Sequence, residues 1–107
     1  MSNSFSNPED TKLATLATST LARTGAKQAA ALRDTTGRTY VAINISTASL
    51  SLDAVQAVFT VAAASQISGI ESVVIVGESA AETAVITENS PQATFFYIDA
   101  SGSVTRA

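Results

Sequence analysis

Two of the side chains that carry most chemistry near neutral pH are missing from this sequence. The 107 residues include no cysteine and no histidine. That excludes thiolate catalysis, imidazole acid–base catalysis, disulfides and a zinc centre built from the usual nitrogen and sulfur donors. A serine nucleophile would have only Lys12 or Lys27 as its base, and neither lysine stands at the Ser-x-x-Lys spacing. The many serines and threonines therefore read as turn and surface residues. Glu78 and Glu82 would lie one turn apart if their segment were helical, which is the spacing of a carboxylate acid–base pair. A solvated face is the plainer reading, because Glu71, Glu88 and Asp99 are spread along the chain in the same way. No Walker or dinucleotide glycine pattern occurs, and no acidic calcium loop. The six basic residues (Lys12, Arg23, Lys27, Arg33, Arg38 and Arg106) are scattered, and the net charge is −3. A nucleic-acid binder needs a clustered basic face to displace counterions, so nucleic acid is not an expected partner.

Whatever the chain does, it must be positioned by few elements. Its length suits one domain over residues 1–107, with Met1 to Ser6 as a loose leader. The apolar share of 46% predicts a folded core. Much of that share is alanine, which points to close helix–sheet contact or to association between subunits. Asn7-Pro8-Glu9-Asp10 has the form of a helix start: a capping Asn, a Pro at the first helical position and acids at the positive end of the dipole. Leu13, Leu16, Ala17, Thr20 and Leu21 continue at helical spacing to a stop at Gly25, giving a helix over 8–24. Residues 27–33 and 38–46 read as strands joined by an Asp34-Thr35-Thr36-Gly37 turn. Residues 52–65 are apolar on nearly every side and predict a helix buried by the sheet, or by the sheet and a second subunit. Ser51 or Asp53 is placed to cap it. Val73 to Val76 reads as an interior strand of parallel type. A short helix is expected near residues 80–84, then a strand over 94–99 and a turn at Ala100-Ser101-Gly102. Along that last strand Phe96 should face one side, Phe95 and Tyr97 the other. The order predicts a layered α/β domain with a mixed sheet that opens on an antiparallel hairpin.

The run Ala29-Ala30-Ala31-Leu32-Arg33-Asp34-Thr35-Thr36-Gly37-Arg38-Thr39-Tyr40-Val41-Ala42-Ile43-Asn44-Ile45 resembles the opening hairpin of the small cytidine deaminases, blasticidin-S deaminases included. That pattern is an alanine-rich strand, a Leu, a D-G turn, an aromatic and then G-x-N-V. Ala48-Ser49 onward resembles the segment that leads into the catalytic helix. Val73 to Glu78 resembles the central strand, and Phe96 to Val104 a later strand and turn. The resemblance implies a cytidine deaminase-like layered sandwich with a shortened C-terminal half. It also locates the family's chemistry. The first zinc ligand and the proton-shuttling Glu fall at Asp53 and Val55, and the P-C-x-x-C ligand pair falls between Gly77 and Thr94, where Pro91 remains without sulfur. Asn44 matches the Asn that contacts the nucleoside sugar, and Ser46 stands in place of its companion acid; the plainer reading is that Asn44 simply bonds backbone at its strand end.

These residues imply a catalytically inactive cytidine deaminase-like protein with a structural or binding role and no cofactor. The alternatives are a metal-free nucleoside or nucleobase binder using Asn44, Ser46 and Asp53, and a residual hydrolase using Asp53 or another carboxylate. Homo-oligomerisation through the apolar helix is expected, with a nucleoside or protein partner possible. No apolar run reaches the roughly 18 residues of a membrane span, and the polar N-terminus does not resemble a signal peptide, so the expected location is the cytoplasm.

Overall fold

The computed structural model describes residues 5–79 and 81–106. Helix α1 spans Pro8–Thr24, the bounds its caps predict. The Asn7 side chain accepts the Glu9 N–H at 2.9 Å, and Gly25 ends the helix at φ 68°, donating its N–H to the Leu21 carbonyl. Of the residues read as a leader, 1–4 lie outside the described residues, while Phe5 sets its ring edge-on to Phe96 with centroids 5.0 Å apart.

The chain continues as β1 (Gln28–Asp34), β2 (Thr39–Ile43), β3 (Ile45–Ser46), β4 (Ser51–Leu52), helix α2 (Ala54–Ala64), β5 (Ile70–Gly77), helix α3 (Ala84–Asn89), β6 (Thr94–Ile98) and β7 (Val104–Arg106). Five strands form a mixed sheet in the order β2-β1-β5-β6-β7, and β3 and β4 form a separate small hairpin. β1 pairs antiparallel with both β2 and β5. β5 pairs parallel with β6, through a crossover that contains α3, and β7 returns antiparallel to β6.

Strand alternation divides the core in two. Ala29, Ala31, Val74 and Val76 face Leu13, Ala14 and Ala17 of α1. Ala30, Leu32, Val73, Ile75 and Phe95 face Ala54, Val55, Val58 and Ala62 of α2 and Ile86 of α3. Phe96 joins the first cluster and Tyr97 the second, as their alternation predicts. β1 is buried along its whole length, and its three consecutive alanines are fully enclosed. Small side chains on both faces of this strand let helices approach from both sides.

Two segments depart from the sequence reading. The strand expected over 38–46 breaks at Asn44. There the Asn44 side-chain oxygen, not its carbonyl, takes the Gln28 N–H at 3.1 Å, and the chain leaves the sheet for the β3–β4 hairpin. The helix expected near 80–84 lies at Ala84–Asn89, where it can bury Ile86 against α2; residue 80 itself is outside the described residues. Glu78 and Glu82 consequently do not share a helix face.

Two hairpin corners use one local device. In Asp34-Thr35-Thr36-Gly37-Arg38 the Asp34 carboxylate accepts the N–H and hydroxyl of Thr36 and the N–H of Arg38 at 2.7–3.0 Å. In Asp99-Ala100-Ser101-Gly102-Ser103 the Asp99 carboxylate accepts the matching three bonds from Ser101 and Ser103, over the same range. At the same end of the sheet as the first corner, Arg33 is almost wholly buried, and its guanidinium donates to Asp10 of α1 at 2.9 Å and to Glu71 of β5 at 2.8 Å. Burial works to lower the Arg33 pKa, but the bonds from Glu71 and Asp10 outweigh it and hold the group above its ordinary value.

Candidate functional site

The polar positions singled out in the sequence converge. Asn44, at the end of β2, Ser46 in β3 and Asp53 at the start of α2 all line one open cleft of about 580 Å³, together with Lys27, Ser51 and Glu78. The cleft lies beside the N-terminus of α2, where β1 begins and β5 ends. Val55 is not part of it: its side chain is fully buried in the core beneath α2.

The side chains of Asp53, Asn44 and Gln28 in the cleft are engaged with backbone. Asp53 is the N-cap of α2. Its Oδ1 accepts the Gln56 N–H at 2.8 Å, and Gln56 Oε1 accepts the Asp53 N–H at 3.0 Å, a complete capping box. Its Oδ2 accepts the Glu82 N–H at 2.6 Å. Asn44 Oδ1 is held by the Gln28 N–H, and the Asn44 N–H donates to the Gln28 carbonyl at 3.2 Å. Ser46 is exposed, and among the described residues its hydroxyl makes no hydrogen bond.

A residue that the sequence reading passed over sits at the centre. Gln28 is 2% exposed; its Oε1 accepts the Ala54 N–H at 2.8 Å and its Nε2 donates to the Glu78 carbonyl at 2.6 Å. One buried amide thus joins the start of β1 to the start of α2 and the end of β5. The only sequence signal was a polar residue just ahead of the apolar run Ala29–Leu32, where burial demands partners. Gly77 completes the junction. It adopts φ 96°, and a Cβ there would collide with the Lys27 carbonyl oxygen, to which the Glu78 N–H donates at 3.0 Å. The Tyr97 hydroxyl donates to the Gly77 carbonyl at 2.5 Å. The cleft wall is therefore a meeting of four backbone segments, held by side-chain amide, carboxylate and phenol groups.

A mixed sheet with an antiparallel opening hairpin, helices on both faces and a cleft at the start of the buried helix define a deaminase-type α/β domain. The family model described as cytidine deaminase-like matches residues 6–102, and the chain belongs to that family. No match is found among curated proteins.

Catalytic members of this superfamily use zinc held by His and Cys side chains, with a Glu beside it to move protons. The residues here do not fit that metal. The chain has no His or Cys, and among the described residues no three carboxylates gather closely enough to replace them. Asp53, where the sequence resemblance maps the first ligand, has both oxygens occupied by backbone N–H groups. A lone carboxylate also supplies the wrong donor for a cation that prefers nitrogen and sulfur.

Proposed function

We propose that this chain is a catalytically inactive cytidine deaminase-like domain with a structural or binding role. One observation supports the reading: at the two positions onto which the sequence resemblance maps a metal ligand and a proton shuttle, this chain has a helix cap and a core valine. Hydrolytic deamination requires a group that activates water and returns a proton to the departing amine. Asp53 is turned to the Gln56 and Glu82 N–H groups, and Val55 has no proton to give and no access to the cleft. An assay of cytidine and deoxycytidine with added Zn²⁺ tests this. Product formation at the level of an Asp53→Ala control is expected. Turnover that disappears in that variant would restore the hydrolase reading.

A metal-free nucleoside binder is the second reading, favoured by the gathering of Asn44, Ser46 and Asp53 in one cleft. Among the described residues the Asn44 amide nitrogen and the Ser46 hydroxyl make no hydrogen bond, so both can face a sugar. If this reading is right, Asn44→Ala abolishes nucleoside binding in a fold that calorimetry shows to be intact.

For a partner we infer a second copy of the chain. The support is the outer side of α2, a helix without a single charged residue whose Val61 is 46% exposed. No helix among the described residues is long and apolar enough to cross a membrane.

A further inference from the structure

We propose that Gln28 and Asp53 form a metal-independent clamp that holds the cleft together by direct bonds between the segments that meet there. The inference rests on the non-catalytic reading of the cleft and adds what the site does instead. Asp53 joins the start of α2 to the segment before α3: Oδ1 holds the Gln56 N–H, and Oδ2 holds the Glu82 N–H. These are the two stretches onto which the sequence resemblance maps the zinc ligands, and in this chain the Asp53 carboxylate joins them directly. Gln28 adds the third segment, binding the Ala54 N–H and the Glu78 carbonyl from β1.

The groups involved are those that most need a partner. The first N–H groups of a helix lack intrahelical acceptors, and α2 has no acidic residue in its first turn. Gln28 Oε1 satisfies the Ala54 N–H, and Asp53 Oδ1 satisfies that of Gln56. The carboxylate also lies at the positive end of the helix dipole. With these acceptors in place, the end of α2 is capped from within the chain, and an added cation would have to break the clamp to reach Asp53.

Thermal unfolding of the full chain with EDTA and with excess Zn²⁺, combined with amide hydrogen exchange, tests this. The midpoint should be the same in both additives. Asp53→Asn retains a capping oxygen for Gln56 but puts an NH₂ toward Glu82. It should speed exchange of the Glu82 amide by about tenfold or more while the Gln56 amide stays protected. Gln28→Met, of similar length but without hydrogen bonds, should lower the midpoint and expose the Ala54 amide; if it does not fold, the Asp53→Asn exchange pattern decides alone. A midpoint raised by Zn²⁺ and lowered by EDTA would overturn the clamp, and so would unchanged Glu82 exchange in Asp53→Asn. Deaminase turnover with a zinc-insensitive midpoint would instead contradict only the non-catalytic reading.

Discussion

Arg33 shows how a single side chain can hold two layers together. It reaches from β1 to Asp10 on α1 and to Glu71 on β5, and both it and Asp10 are buried. Removing one member of a buried pair strands the other without compensation, so Arg33→Met should destabilise the fold by about 3–5 kcal/mol. Asp10→Leu combined with Arg33→Met should cost clearly less than the sum of the single changes, as urea unfolding of the four chains would show. The sequence displayed Asp10 only as a first-turn acid and Arg33 only as a scattered base, because the contact between them spans 23 positions. The corner aspartates act differently. For Asp34 burial raises the pKa, but the Thr36 hydroxyl and the Arg38 and Thr36 N–H groups outweigh it, and the net shift is downward. For Asp99 the Ser101 hydroxyl leads the lowering, with the Ser103 N–H next. A carboxyl whose folded pKa lies below its unfolded value stabilises fully above that unfolded value, near 3.9, and the contribution fades as pH falls through the folded one. Stability should therefore fall as the pH drops below about 4. The drop should be smaller in an Asp34→Asn, Asp99→Asn double variant, measured by urea midpoints at each pH.

Elements with complete local signals were legible in the sequence. Helix α1 carried its Asn cap, its Pro and its Gly stop, and the structure begins and ends it there. The hairpin carried its Asp-x-x-Gly turn, and β6 its aromatic alternation. Helix α3 was misplaced because Thr83 makes no side-chain cap bond, and what fixes it is the burial of Ile86 against a helix distant in sequence. Asn44 reads as strand and acts as a strand end because its side chain substitutes for a ladder carbonyl. Asn44, Ser46 and Asp53, which the resemblance singles out, line one cleft, whereas Gln28 was not legible, since little in the local sequence marks an amide that bonds residues 26 and 50 positions away. Helix α2 is where family chemistry and this chain's packing diverge most. Val55→Glu supplies the missing acid by residue type, yet it places a carboxylate among Val58, Val73 and Ile86. It should produce no turnover and should destabilise by several kcal/mol, or fold with a carboxyl pKa raised far above the usual range; thermal unfolding against pH separates the two.

As a whole, the molecule has the layered α/β fold of its family, and two polar side chains of its cleft, Gln28 and Asp53, join β1, α2, β5 and the approach to α3. The alanine of β1 is used inside, in close contact with helices on both faces, so alanine content by itself gives no reason to expect a partner. The outer side of α2 gives one. Light scattering at micromolar concentration should report a mass of at least two chains, and Val61→Lys should reduce it to one. We propose that the cleft, with Gln28 and Asp53 tied to backbone, does not bind cytidine. The most direct test is thermal unfolding of the chain with cytidine, deoxycytidine, uridine and adenosine. A ligand present at about 100 times its dissociation constant adds about 2.7 kcal/mol, several degrees for a domain of this size. The account predicts no shift with any of the four. A shift of several degrees with cytidine or uridine, lost in Asn44→Ala, would contradict it and make the cleft a working nucleoside site.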